Sequence, residues 1–482
     1  MQLRDLLKDI EIIKAVAGLG TEIRNVRYDS RKVEPGDLFV AIKGFESDGH
    51  DYISQAIASG AAAIICTEQQ KEDVPYILVE NSRLALALAS RNLFGNPAAG
   101  MKLIGVTGTN GKTTVTTLIK HVLEKVTGAK VGLVGTNGNI IGELVLETER
   151  TTPESYDLQV LFRQMAEAGC EYVVMEVASH ALALDRVGGL ELEVGVFSNL
   201  THDHLDFHGT MEEYARVKSL LFRMCRKGCV NLDDEYVESI IDGATSEIMT
   251  FSIRKNEADI VAKDIKLSGG NVKFCAVSTG VIERMALNIP GMFSVYNALA
   301  VISACVCLGL DMPDIATALE TAKGVPGRME TVPTDGDYTI VIDYAHTPDA
   351  LENVLKTLKE AAVGRVVALF GCGGDRDKSK RPLMGGIVAA NADFAIVTSD
   401  NPRTEEPRAI IDDILAGMPG AKSQRVVIED RREAIAYAID NAQPGDIILL
   451  AGKGNETYQI IGKTKLPMDE RIIVAEYLAG RK

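Results

Sequence analysis

Residues 102–114 constrain this chain more than any other stretch: they read KLIGVTGTNGKTT. A short apolar strand runs into Gly108-Thr109-Asn110-Gly111-Lys112-Thr113-Thr114, and a helix begins near Thr113. Glycines let backbone N–H groups come close to phosphate oxygens. Lys112 supplies a point charge for the terminal phosphates, and the Thr113 hydroxyl suits Mg²⁺. The helix that follows aims its positive end at the same anion. The usual phosphate-loop pattern starts with glycine where this chain has Val106. The strand–loop–helix context nevertheless favours nucleoside triphosphate binding over a plain glycine-rich turn.

The same alternation of strand and helix recurs along the chain. With 482 residues, about three domains are expected. The first, residues 1–98, reads as a small α/β unit, with DLFVAIKG and AAAIICTE as strands and YISQAIASGA as a helix. FGNPAAGMK is a candidate linker. Residues 99–330 hold the phosphate loop and the strands EYVVMEV and LEVGVFSNL, which predict a parallel, doubly wound sheet. Residues 331–482 carry four further strands, DYTIVIDYAH, RVVALFGCGG, ADFAIVTSD and GDIILLAGKG, each ending in polar residues. In open sheets of this kind functional loops follow the carboxyl ends of strands.

A net charge of −16 argues against a nucleic-acid partner. The eight cysteines lie mostly in apolar runs, as reduced core thiols of a cytosolic protein do. Cys225 and Cys229 have no second pair beside them to complete a zinc knuckle. No run approaches the ~20 apolar residues of a membrane span, and the N-terminus lacks a signal-peptide core. A cytoplasmic location is expected.

Other polar clusters are ambiguous on their own. Glu176 closes an apolar strand, where a carboxylate is either solvated or a ligand for a hard cation. NLTHDHLDFHG holds three of the seven histidines and could be a zinc site. Asp400-Asn401-Pro402-Arg403 is either an ordinary polar turn or a carboxylate-binding one.

Taken in order along the chain, these segments resemble the Mur ligase family, which also includes folylpolyglutamate synthetases. TGTNGKTT is similar to the family's ATP loop. The resemblance implies Mg²⁺ near Thr113, Glu176 and His204, with Lys218 of YARVKSLLF as a carbamylated lysine. It also places Asn297 of PGMFSVYNALA at adenine, Arg328 of PGRME at the phosphates, and Asp343 and His346 of IDYAHTPDAL on the ribose side. RYDSRKVEPGDLFVAIKG is similar to the family's uridine segment, with Ser30 and then Phe45, Glu46 and Ser47 touching the nucleotide. Thr151, Thr152, Ser179 and Arg186 would meet the muramoyl dipeptide; many relatives read SSH where this chain has Ala178-Ser179-His180.

The family's diaminopimelate-adding members carry DNPR, here Asp400 to Arg403, together with an arginine matching Arg376. Gly452 and Glu456 would accept the distal ammonium, although relatives usually have histidine where this chain has Asn455. Arginine pairs bidentately with a carboxylate. Lysine lacks that distal carboxylate and would leave the charge unpaired. The resemblance therefore implies a monomeric, three-domain α/β ligase with a small N-terminal domain, a central P-loop ATPase domain and a C-terminal Rossmann-like domain. Its expected substrates are ATP, UDP-N-acetylmuramoyl-L-alanyl-D-glutamate and meso-diaminopimelate. Lys112, Glu176, His204, Lys218 and Arg328 would serve catalysis. The alternatives are a lysine- or glutamate-adding relative, a P-loop kinase or motor ATPase, and a nucleotide-binding module without catalysis.

Overall fold

The computed structural model describes residues 1–44, 47–71, 73–148, 150–267, 271–420 and 424–480. Among the described residues three large sheets, each with its own core, follow one another along the chain, and a two-stranded hairpin, Tyr458–Ile461 with Thr464–Pro467, stands apart from them.

The first sheet has five strands in the order Lys14–Ala15, Tyr76–Leu78, Ala63–Cys66, Leu38–Val40, Val26–Arg27, parallel except for the first. Side chains of a strand alternate between faces. Leu38 and Val40 accordingly pack beneath helix Ser82–Leu93, whereas Phe39 packs with Ile53 and Ala56 of helix Ile53–Ala58.

The central sheet has eleven strands. In its middle Leu192–Phe197, Lys102–Thr107, Tyr172–Glu176 and Val131–Gly135 run parallel, as the sequence predicts. Both edges depart from that expectation. Gly138–Ile141 with Leu144–Leu146, and Val272–Ser278 with Val281–Leu287, are antiparallel hairpins. Two-residue connections, Gly142-Glu143 and Thr279-Gly280, leave no room for a crossover helix, and Gly142 and Gly280 supply the positive φ such turns need. Helix Lys112–Thr127 buries Val115, Leu118, Ile119, Val122 and Leu123 against the sheet, an i, i+3, i+4, i+7, i+8 stripe. Each such burial contributes about 1.5–3 kcal/mol over exposure, so a single Leu118→Asp would undo the seat of the phosphate loop. Helix Met292–Cys307, MFSVYNALAVISACVC, has no charged residue and is buried almost all round, as a helix apolar on every face must be.

Two expectations about joints and thiols resolve here. FGNPAAGMK, the candidate linker, is anchored to the central unit, because Ala98 and Met101 pack into its core. Cys225 and Cys229 lie in different core clusters on opposite faces of the sheet, so they form no knuckle; all eight cysteines are free thiols.

The third sheet has six strands in the order Glu330–Val332, Thr339–Asp343, Ile447–Ala451, Val366–Phe370, Phe394–Val397, Gln424–Val427. All but the first run parallel. Its carboxyl edge, like that of the central sheet, ends in the polar loops singled out above. The two edges face each other, as the hydrogen bonds between them establish.

Candidate active site

The phosphate loop closes on itself. Gly108 has φ 147° and Gly111 has φ 87°. A Cβ on Gly108 would lie 1.9 Å from Ser198 Oγ, and one on Gly111 would lie 2.5 Å from Asn297 Oδ1. Both positions therefore require glycine. Asn110 N–H donates to Asn199 Oδ1 at 2.9 Å, and Thr109 Oγ1 donates to the Thr201 carbonyl at 3.2 Å. The NLTHDHLDFHG segment thus forms the wall of the loop.

Two lysines converge on that loop. Lys112 Nζ and Lys218 Nζ both donate to the carbonyl oxygen of Gly108, each at 2.9 Å. Lys218 is 1% exposed and sits 4.6 Å from the centre of the Tyr214 ring. Among the described residues no carboxylate forms an ion pair with it. Burial, and then the Lys112 charge, push Lys218 well below an ordinary lysine. Both effects favour the neutral amine.

Glu176, at the end of strand Tyr172–Glu176, is 1% exposed. It accepts from Thr136 N–H at 2.8 Å and from Thr136 Oγ1 at 3.1 Å. Thr113, Glu176, His204 and Lys218 line one cavity with the phosphate loop. The histidines do not converge as zinc ligands would. His180 and His204 meet edge to face at 4.9 Å, and His208 stacks on Tyr214 at 4.8 Å. Among the described residues the histidine segment holds no metal-like cluster. Burial lowers His204 to about 3 and His180 and His208 to about 4, so each is a neutral imidazole near neutral pH.

Groups from the third sheet complete the cavity. Arg328 donates to Thr113 Oγ1 at 3.1 Å and lies 4.7 Å over the Tyr344 ring. Asp343 accepts from the N–H groups of Met329 and Ala345, at 2.7 and 2.8 Å, and so fixes the turn that presents Arg328. Asn297 and Asp343 line a neighbouring, mainly apolar cavity with Phe293, Tyr296 and Thr114. His346 stands elsewhere: its Nδ1 bonds the Tyr344 carbonyl at 2.7 Å, and it faces the phosphate-loop cavity and the one beyond it.

That further cavity gathers Arg376, Asp400, Asn401, Arg403, Gly452 and Glu456; Pro402 does not line it. Its wall includes Asp203, His204, Tyr344 and His346, the same four residues that line the phosphate-loop cavity. The two cavities therefore adjoin at these shared residues. Arg376 donates to the Asp375 carbonyl at 2.9 Å, and Arg403 to the Gly374 carbonyl at 2.8 Å. Neither guanidinium forms an ion pair among the described residues. Burial, and then the neighbouring Arg376, depress the Arg403 pKa. Glu456 Oε2 accepts from Lys453 at 3.0 Å and from Asn401 at 2.9 Å, which leaves Oε1 for a ligand cation. His204, Met329, Asp375 and Arg403 all have positive φ, a backbone state that costs of order 1–3 kcal/mol and clusters at functional sites.

The acceptor-side residues form two groups. Thr151 Oγ1 meets Thr136 Oγ1 at 3.0 Å, Thr152 Oγ1 donates to the Glu176 carbonyl at 2.7 Å, and Ser179 Oγ meets His208 Nε2 at 2.9 Å. Arg186 donates to Glu154 at 3.0 Å and to the Thr152 carbonyl at 3.2 Å. Ser30 lies in the first unit, near Gln55 (3.4 Å), and Ser47 is exposed. Phe45 and Glu46 lie outside the described residues.

Several residues that position the site escape sequence reasoning. Thr136 holds Glu176, and Asn455 Nδ2 reaches the Thr136 carbonyl at 3.4 Å. Asn110 Nδ2 bonds Asp349 at 2.9 Å. Lys380 stands 3.8 Å from Asp203. Tyr344 lies under Arg328.

Comparison with known proteins agrees over the whole length. The chain matches models described as the Mur ligase family, catalytic domain, over residues 22–92, the Mur ligase middle domain over 106–305, and the Mur ligase, glutamate ligase domain over 327–454. It is 50% identical over 482 residues to the UDP-N-acetylmuramoyl-L-alanyl-D-glutamate–2,6-diaminopimelate ligase of Caldanaerobacter subterraneus subsp. tengcongensis, covering 99% of each chain. It is 46% identical to the protein of the same name from Clostridioides difficile, over 99% of this chain and 100% of that one. A solved structure of a UDP-N-acetylmuramoyl-L-alanyl-D-glutamate–2,6-diaminopimelate ligase superimposes with a TM-score of 0.70 at 34% identity, covering 100% and 99% of the two chains. The MurF ligase of Thermotoga maritima in complex with ADP shares the fold, with a TM-score of 0.60 at 22% identity over 95% of this chain and 97% of that one. From the phosphate loop to the paired guanidiniums, this chain belongs to the Mur ligase family.

Proposed function

We propose that this chain is an ATP-dependent ligase that joins meso-diaminopimelate to UDP-N-acetylmuramoyl-L-alanyl-D-glutamate in the cytoplasm, acting as a monomer of three domains, 1–98, 99–330 and 331–482. One observation carries the reading. Two guanidiniums without carboxylate partners among the described residues, Arg376 and Arg403, share a cavity with Glu456 and Asp400, and that cavity adjoins the one at Lys112 through Asp203, His204, Tyr344 and His346. A distal carboxylate answers the arginines, and the ammonium on the same carbon answers the acids. L-lysine answers only the acids.

ATP lies across the phosphate loop, with its adenosine toward Asn297 and Asp343. The γ-carboxylate of the terminal D-glutamate attacks the γ-phosphorus; the bond to the β-phosphate oxygen breaks, giving an acyl phosphate and ADP. Lys112, Arg328 and the amino end of helix Lys112–Thr127 face the transferring phosphoryl group and stabilise its charge. The neutral amine of diaminopimelate, positioned by Arg376, Arg403 and Glu456, then attacks the acyl carbon, and phosphate departs. Ser30, Phe45, Glu46 and Ser47 are assigned to the uridine end of the acceptor, and Thr151, Thr152, Ser179 and Arg186 to its dipeptide.

The donor set fits Mg²⁺. Glu176 is a buried carboxylate with no cationic partner among the described residues, Thr113 offers a hydroxyl, and His204 a neutral imidazole. Lys218, in which burial and then the Lys112 charge favour the neutral amine, suits reaction with CO₂ to a carbamate, which turns a cation into an oxygen ligand. When bound, the ion neutralises charge on the phosphates.

The test is phosphate release from ATP with the UDP-linked dipeptide and, in turn, meso-diaminopimelate, L-lysine and L-glutamate. Release is expected with diaminopimelate. Release that needs no amino acid would remove the ligase reading, and release with lysine alone would overturn the specificity.

A further inference from the structure

Lys453 is wholly buried and does not line the cavity that holds Arg376, Arg403 and Glu456. Its ammonium nevertheless bonds two residues that do. Nζ donates to Asn401 Oδ1 at 2.6 Å, to Glu456 Oε2 at 3.0 Å and to the Tyr458 carbonyl at 2.8 Å. An ammonium has three donors and no acceptor, so all three are spent inside the fold.

Those bonds decide how the neighbouring groups are turned. Asn401 Oδ1 also accepts from Ile460 N–H at 2.9 Å. With two donors on its oxygen, the amide must present Nδ2 on the other side, and Nδ2 donates to Glu456 Oε2 at 2.9 Å. Glu456 Oε2 therefore receives two donors, whereas Oε1 receives none among the described residues. One oxygen of this carboxylate serves the fold, and the other is left to a ligand. The same set of bonds reaches the arginines, because the Ile460 carbonyl accepts from Arg403 N–H at 3.1 Å. Lys453 also stands 4.0 Å from Asp400. Burial by itself would raise the Asp400 carboxyl, but the Lys453 charge, and then that of Arg431, outweigh it and hold the group below the ordinary carboxylate value. A cation behind the cavity wall thus keeps an acid on that wall ionised.

We infer that Lys453 is a positioning residue: it aims Glu456 Oε1 at the distal ammonium of the incoming amino acid, beside the arginines that take the distal carboxylate, and so makes the chain select the configuration of the distal carbon. The inference rests on the function proposed above. With the carbon chain and the carboxylate held, inverting that carbon exchanges the ammonium and the hydrogen. An acceptor aimed at one of those two places receives one isomer and leaves the charge of the other unpaired. An acceptor that can turn receives both. Methionine in place of Lys453 keeps the length of the side chain but loses the charge and the three donors, which releases the Asn401 amide and the Glu456 carboxylate.

The test uses the full-length chain. In Lys453→Met, kcat/KM for meso-diaminopimelate should fall about tenfold or more, the worth of a hydrogen bond to a charged group. The preference for the meso over the L,L isomer should shrink by a similar factor. KM for ATP and for the UDP-linked dipeptide, which bind elsewhere, should stay within about twofold. Adding Lys453→Met to Glu456→Gln should change kcat/KM by less than about twofold, because a residue that acts through Glu456 then has nothing left to aim. Should Lys453→Met not fold, the double variant, which removes both members of the buried pair, is compared with Glu456→Gln alone. A wild-type chain that uses both isomers equally, or an unchanged preference in folded Lys453→Met, overturns the inference. So does a double variant about tenfold below Glu456→Gln, since independent effects multiply. A wild-type chain that releases no phosphate with meso-diaminopimelate refutes the underlying function instead, before any variant is compared.

Discussion

Four arginines of the third unit divide into two pairs. Arg431 is 2% exposed and binds Glu470 at 2.8 Å and the Ala451 carbonyl at 2.7 Å. Arg381 is wholly buried and binds Glu405 at 2.8 and 3.0 Å and Asp413 at 2.9 Å. Arg376 and Arg403 lie nearby in the chain, yet bond only backbone carbonyls. The charge of the first pair is neutralised within the fold. The charge of the second pair is held out over a cavity. For the half-buried Arg403 a guanidinium without a counter-charge is a cost to the folded chain, and a ligand carboxylate relieves it; Arg376 beside it is exposed and adds its charge at the cavity rim. The contrast separates arginines that build the sheet edge from arginines that read the substrate.

The strongest challenge to this division is Arg431→Ala. It strands Glu470, whose carboxyl burial already pushes up in pKa, and should cost about 3–5 kcal/mol, read as a fall in the urea midpoint. If the loss is no greater than for Arg403→Ala, the two pairs are not different in kind. Arg431→Met with Glu470→Leu should regain most of the stability, because removing both charges removes the desolvation cost as well.

Arg403→Ala should act the other way. A hydrogen bond to a charged group is worth about 1.5–3 kcal/mol, so kcat/KM for diaminopimelate should fall about ten- to a hundredfold. KM for ATP and the urea midpoint should hardly move. Use of L-lysine, which has no distal carboxylate, should not fall, and the gap between the two amino acids narrows. An equal loss with both would place Arg403 in the scaffold.

The same contrast bears on what the sequence made legible. Arg376 and Arg403 stand out because glycine, aspartate, asparagine and proline surround them at strand ends, where local chemistry is visible. The phosphate loop is legible for the same reason: its glycines, lysine and threonine are adjacent. Thr136, Asn455, Asp349 and Lys380 act by contacts that join residues far apart in sequence, such as Asn455 with Thr136 and Asn110 with Asp349. Asn455 and Asp349 lie in segments that the sequence does mark, but no local pattern shows which distant residue each one meets. The histidine run could be zinc or a wall beside a phosphate site, and only the packing of the rings decides between them. His346 shares a motif with Asp343 but faces a different cavity, because the backbone turns between them. The edge hairpins of the central sheet went unread although one of their strands carries a different pattern: Val272–Ser278 alternates buried and more exposed positions, whereas Tyr172–Glu176 and Val131–Gly135 are buried throughout.

The smallest effect concerns acid. Glu405 accepts from both terminal nitrogens of Arg381, from Asp375 N–H at 2.6 Å, and stands 3.2 Å from Lys378 Nζ. These bonds, those of Arg381 first, lower its pKa from 4.5 to about 2. A carboxylate whose folded pKa lies below its unfolded value stabilises fully above the unfolded value and loses that contribution as pH falls toward the folded one. The contribution of Glu405 should therefore be complete above about pH 4.5 and fade toward pH 2. Glu405→Gln should flatten the stability curve across that interval and leave it parallel to wild type at neutral pH. Because Glu405 also holds the Asp375 backbone beside Arg376, the variant should raise the diaminopimelate KM by a few-fold, about what a 1 kcal/mol loosening gives. A flattened curve without any change in that KM would show that the arginines which build the edge and those which read the substrate are independent.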